Sequence, residues 1–179
     1  MTDPQIEERV AQPYIAIWCQ VIDGVPAAVD QAFPELFSRL TARGIVPAGP
    51  PFIRLHEVDE NGEPLELEVA VPVAGDTSGD DRLRRDALPA GRYVTKLHVG
   101  PYRSETEPDL GDARGALIGW MERQDMTYSR PSERGRALPC AVDHLRVSPG
   151  TEPDYSKWET ELSYLIVDDE RHQEAPWQS

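Results

Sequence analysis

The chain has 179 residues, 39% of them hydrophobic, with 18 basic against 32 acidic side chains and a net charge of −14. That length suits one hydrophobic core rather than two independent domains. The charge argues against direct nucleic-acid binding, which needs a basic stripe. No run approaches the roughly 18 apolar residues of a membrane span, and the polar start MTDPQIEERV lacks a secretory signal's basic-then-apolar pattern. The expectation is a cytoplasmic protein with no membrane partner.

Residues 14–22, YIAIWCQVI, are β-branched and aromatic enough to predict a strand. Alternation puts Ile15, Ile17, Cys19 and Val21 on one face and Tyr14, Ala16, Trp18 and Gln20 on the other. A helix is predicted from about Pro26 to Arg43, with Val29, Phe33, Leu36, Phe37 and Leu40 forming its apolar stripe. Pro34 within it predicts a kink or a later start. An extended stretch follows the turn at Gly49-Pro50-Pro51, and Asp59–Gly62 (DENG) signals a hairpin into LELEVAVPV at 65–73. There Leu65, Leu67, Val69, Val71 and Val73 share one face, while Glu66, Glu68 and Ala70 share the other.

A polar loop at 74–86 separates this series from a second one. LPAGRYVTKLHVGPY predicts a turn and strand. A helix follows over about Thr106–Gln124, striped by Leu110, Ala113, Leu117, Trp120 and Met121. RPSERGRALPC is rich in arginine and turn formers, and its SERGR run is predicted as a surface loop, AVDHLRV as a short extended piece, and WETELSYLIV as a closing strand. The tail from 168 onward is expected to be weakly ordered. LELEVAVPV and ETELSYLIV each have a glutamate, Glu68 and Glu161, opening the apolar run that closes one half of the sequence. The fold class is therefore α+β: duplicated β-α-β-β modules with pseudo-two-fold symmetry. Half one spans about 5–74, a linker 75–86, half two about 87–168 and a tail 169–179.

Two such modules can share an antiparallel sheet with both helices on one face. The uncovered face then bears Trp18, Glu66, Glu68 and Glu161. Carboxylates beside aromatic rings attract organic cations, so one reading is a small-molecule cleft. The other is a solvated sheet face. Cys19 and Cys140 lie outside any CxxC spacing and read as buried thiols, with a disulfide left open. His56, His98 and His144 show no metal spacing, and neither a phosphate-binding glycine loop nor a nucleophile elbow is present. No cofactor or metal is expected.

HVGPY at 98–102, the helix ending in GWM, EPDYSKWETELSYLIV at 152–167 and LPAGRY in the second half carry a family pattern. So do VPAAVDQAFPELFSRLTARGIVPAGPPFIRLHEVD and LELEVAVPV in the first. Together they resemble the GyrI-like small-molecule-binding domains, over about residues 5–168. The resemblance implies a central groove that binds bulky aromatic, amphipathic or cationic compounds. It implies effector-binding or multidrug-binding domains of MerR- and AraC-type regulators, toxin-sequestering stand-alone proteins, and cofactor-independent hydrolases of cyclopropane-bearing alkylating natural products. With no room for a helix-turn-helix, the expectation is a stand-alone protein; a homodimer or a coregulator role is compatible with it.

Position by position, the resemblance makes Glu161 the groove carboxylate, or the water-activating catalytic residue of a hydrolase, with Glu68 its first-half counterpart. His98 and Tyr102 match its H-x-G-P-Y, with a structural role kept open. Asp143-His144-Leu145 departs from the family's E-x-Y and lacks its aromatic hydroxyl. Trp18 occupies a position often polar or basic in the family. The candidate ligand-binding set is Glu161, Glu68, Glu66, Trp18, Phe52, His56, Tyr102, Asp143 and Leu145.

Overall fold

The structure, a computed structural model, describes residues 3–75 and 77–167; the tail at 169–179 lies outside the described residues. Strands β1 (Gln5–Arg9) and β2 (Gln12–Gln20) precede α1 (Val25–Ala42) and the hairpin β3 (Phe52–Val58) and β4 (Pro64–Pro72). Strands β5 (Arg84–Leu88) and β6 (Gly91–Val99) precede α2 (Leu110–Arg123), β7 (Arg130–Ser132), β8 (Gly135–Val147) and β9 (Glu159–Leu165). The nine strands form one antiparallel sheet in the order β1-β6-β9-β8-β3-β4-β2-β5, with β7 on β8. Exchanging β1 with β5, β2 with β6, β3 with β8 and β4 with β9 reverses that order onto itself. This is the pseudo-two-fold symmetry that the sequence predicts.

Arg9 stands opposite Gly91, and Gln12 opposite Leu88. The register therefore runs unbroken across Val10-Ala11 and Pro89-Ala90, joining β1–β2 and β5–β6 into one long two-stranded ribbon. Because β2 also pairs with β4 and β6 with β9, the circuit ribbon, β9, β8, β3, β4, ribbon closes on itself. A closed circuit of pairing forces the sheet to curl. The result is a half-barrel with a concave inside.

Alternation sends side chains to two apolar clusters. Outward, Ile15, Ile17, Val69, Val71, Leu162 and Tyr164 pack under Leu36, Leu40, Leu117 and Met121 of the helices. Inward, Tyr14, Ala16, Phe52, Ala70, Tyr93 and Val142 meet in a second cluster. The parities predicted for β2 and β4 are those observed. Helix α1 runs continuously through Pro34, while Phe37 is exposed rather than part of the stripe. Helix α2 begins at Leu110 because Asp109 and Asp112 form a reciprocal capping box there.

Three departures matter. The polar N-terminal segment and the end of the predicted linker form β1 and β5. The SERGR run predicted as a loop holds the tight turn of a hairpin that pairs β7 with a thirteen-residue β8.

At the pseudo-axis Asp143 of β8 faces Ile53 of β3, and its side chain turns outward under α2. Arg114 donates from both Nη atoms to the two Asp143 oxygens, at 3.1 and 2.6 Å, and also to the Tyr164 hydroxyl at 3.1 Å. Removing one member of such a buried pair strands the other's charge, at a cost of about 3–5 kcal/mol. Arg114→Met is expected to destabilise the protein by about that much in urea unfolding, with Arg114→Lys losing less.

Candidate functional site

The ladders define which residues correspond across the pseudo-axis. Trp18 and Arg54 flank Glu68 in the first half, as Leu97 and His144 flank Glu161 in the second. Tyr14 faces Pro72 as Tyr93 faces Leu165. Each half thus presents one strand glutamate and one tyrosine to the concave face. The two halves surround them differently.

In the first half Glu68 is only 2% exposed. It accepts from the Tyr14 hydroxyl at 2.7 Å and from His56 Nε2 at 3.0 Å. Arg54 Nη1 donates to the same tyrosine at 2.6 Å and to Asp86 at 3.1 Å. Burial pushes the Glu68 carboxyl up, but the bonds from His56 and Tyr14, with the Arg54 charge, outweigh it and hold the group below its ordinary range. Burial, with Glu68 alongside, raises the Tyr14 hydroxyl. Trp18 is met by the His56 ring from the β3 side at 4.3 Å, and by the Arg84 guanidinium from the β5 side at 4.7 Å. Arg134, from the β7–β8 turn, bonds both Glu57 and Glu66. This end of the half-barrel is filled by its own side chains.

In the second half Glu161 is 7% exposed. Its Oε1 accepts from Arg9 Nη2 at 2.6 Å and its Oε2 from Arg146 Nη2. Arg9 also reaches Glu7 at 2.9 Å, and its Nη1 lies 3.2 Å from His144 Nε2. Arginine has no acceptor, so His144 Nε2 accepts, and the neutral ring carries its proton on Nδ1. Ser163 Oγ, 3.1 Å away, donates to the same Nε2.

Beside this cluster lies a cavity of about 310 Å³ at the ribbon junctions. Phe52, Tyr93, Leu88, Pro50, Pro72 and Val10 supply its apolar wall, and Arg9, Gln12, His144 and Ser163 its polar groups.

Of the residues singled out from sequence, Phe52 lines this cavity, while Glu161, Glu68, Glu66, Trp18 and His56 are on the concave face outside its lining. Three lie elsewhere. Asp143 and Leu145 have the opposite parity on β8 and face the helix layer, Asp143 bound to Arg114. Tyr102 lies against Trp158 at 4.7 Å with the rings tilted, and burial raises its hydroxyl to about 12, with Thr160 of β9 and Asp143 of β8 as its polar surroundings. His98 Nε2 donates to the Pro101 carbonyl at 2.9 Å. Arg9, Arg54, Tyr14, Tyr93, Arg146 and Ser163 were not singled out from sequence, although parity with Phe52 and Glu161 could have found Arg54 and Ser163.

Residues 2–134 match the family model of the GyrI-like small molecule binding domain. The chain belongs to that family. No curated protein sequence matches this GyrI-like chain. Its fold is similar to that of the EcmrR C-terminal domain, with TM-score 0.76, 16% identity, and coverage of 93% of this chain and 98% of that domain. Against EcmrR in its DNA complex, this chain covers 58% of the partner's length. A hydrolase from Listeria innocua (TM-score 0.54, 13% identity, covering 92% and 91%) has a similar fold. So has SAV2435, bound to tetraphenylphosphonium (TM-score 0.52, 12% identity, covering 96% and 98%). Among the described residues, no helix of this GyrI-like domain is long and apolar enough to cross a membrane.

Burial first, then the Arg9 charge, pushes His144 down to about 4, against the pull of Glu161 and Asp143. A base that binds protons less tightly when folded stabilises the fold above its unfolded value near 6.5. That contribution is lost as pH falls from 6.5 toward 4. By pH 5 the loss is roughly 2 kcal/mol. Urea unfolding at pH 7.5 and pH 5 is expected to show wild type losing more stability than His144→Asn over that interval.

Proposed function

We propose that this GyrI-like domain captures one aromatic or amphipathic small molecule between its halves and releases it unchanged, as a drug- or toxin-sequestering protein. The observation that carries the reading is the cavity of about 310 Å³, walled by Phe52 and Tyr93 with a few placed polar groups. Sites for small molecules have that make-up. Family membership supports it, and SAV2435 in its complex with tetraphenylphosphonium shows that a similar fold can hold a bulky aromatic compound. A cation seeking Glu161 or Glu68 must displace Arg9, Arg146 or His56, which already occupy those carboxylates.

The same occupancy weighs against the second reading, hydrolysis of cyclopropane-bearing alkylating natural products with Glu161 as base. The similar fold of the Listeria innocua hydrolase motivates that reading. Both Glu161 oxygens already accept from guanidinium groups, however, so a water to be activated must compete with Arg9 and Arg146 for them.

Calorimetric titration with a panel of polycyclic aromatic compounds is expected to find micromolar ligands. Val10, 84% exposed at the cavity rim, offers a way to block it: Val10→Trp is expected to weaken binding by about tenfold or more with unfolding unaltered. A panel without binders, or unimpaired binding in Val10→Trp, overturns the proposal. Incubation with a cyclopropane-bearing alkylator is expected to return it without added water by mass spectrometry; addition of one water selects the hydrolase.

A further inference from the structure

We infer that the cavity selects an acceptor-bearing aromatic compound, neutral or anionic, over a lipophilic cation of the same size. This rests on the capture reading above and specifies its ligand class.

Among the described residues, Arg9 is the one formally charged residue in the lining, and no carboxylate lines it. Glu161 and Glu7 both accept from Arg9 Nη2. They sit on one corner of the guanidinium and leave Nε–H and the second Nη1 proton unclaimed among the described residues. Neutral His144 adds a further donor. Its Nε2 is taken by Arg9 and Ser163, so the proton sits on Nδ1, which has no partner among the described residues. Ser163 spends its proton on that ring. The Gln12 amide nitrogen spends its two on the carbonyls of Pro13 and Val73, at 2.9 and 3.3 Å.

The donors left on the polar side of the cavity are thus those of the Arg9 guanidinium and His144 Nδ1–H, with Gln12 Oε1 and Ser163 Oγ beside them as uncharged acceptors. The facing wall is aromatic, with Phe52 tilted 49° against His144 at 5.7 Å. A carbonyl, carboxylate or phenolate on a planar ring system meets Arg9 and His144 Nδ1–H with charge-assisted bonds. A cation enters beside Arg9 with no facing anion. At about 310 Å³, the space suits a two- or three-ring compound.

The pseudo-symmetric position differs. Where the second half has His144 beside open space, the first has Arg54, bonded to Tyr14 and Asp86 with Trp18, His56 and Arg84 stacked beyond it. Only one of the two clusters borders the cavity.

The test uses three naphthalenes of matched shape at neutral pH in calorimetry: 1-naphthoate, 1-acetonaphthone and 1-naphthyltrimethylammonium. Naphthoate is expected to bind at least about tenfold more tightly than the ammonium compound, with the ketone between. Equal or tighter binding of the cation overturns the inference while leaving capture intact. Binding of none of the three defeats the capture reading itself. Arg9→Gln is expected to erase the naphthoate preference. Since Arg9 also neutralises Glu161, His144→Leu serves as a second variant, lowering naphthoate affinity severalfold without changing that of the cation. Retention of the full preference in both variants overturns the assignment.

Discussion

The unbroken register between residues 5–20 and 84–99 is the constraint on which the rest depends. Were β1 merely an arm and β5 merely a linker, the two β-α-β-β modules would form an open sheet with a solvated face. Instead each module's first strand continues through a two-residue junction onto the other module. The pairing closes and the concave face becomes an interior. Only then do Tyr14, Phe52 and Tyr93 become buried neighbours rather than surface residues.

Closure also sets the electrostatics. Glutamates on an open sheet need no partners, but Glu68 and Glu161 sit where water is scarce, and a buried charge is tolerated only when paired and hydrogen-bonded. Each half answers differently. Glu68 is satisfied by a neutral phenol and a histidine, with Arg54 one bond removed; Glu161 is held directly by two guanidiniums, one of them from β1. The acidic character read from the sequence is real in composition, yet at the concave face it is compensated. Net charge over the whole chain says nothing of the sign that a bound molecule would meet.

Much of the fold is legible because its signals are local. The alternation in YIAIWCQVI and LELEVAVPV, the DENG turn and the stripe through Leu117 and Met121 each record a choice between two faces. QIEER and RRDAL carry no such record. They are edge segments whose structure comes from partners some eighty residues away, so nothing in their composition announces a strand. The site was partly legible for the same reason. Parity assigns Trp18, Phe52, His56, Glu66 and Glu68 to the concave face, whereas Asp143 and Leu145 came from a family motif this chain lacks, and the parity of β8 instead presents Val142, His144 and Arg146 inward. Arg9 was illegible, because its role exists only once β1 lies against β6.

Duplication with divergence then accounts for a cavity that borders one of the two glutamate clusters and not the other. A perfectly symmetric half-barrel would present two equivalent chambers about its axis. Here the replacement of one module's inward arginine by a histidine in the other, together with Trp18 where the second half has Leu97, fills the first chamber and leaves the second open. The filled side is held by stacked rings and by Arg134 bridging Glu57 and Glu66, which gives the half-barrel a rigid end. Rigid support on one side is what a preorganised site on the other needs, since side chains already fixed in place lose little freedom when a ligand arrives.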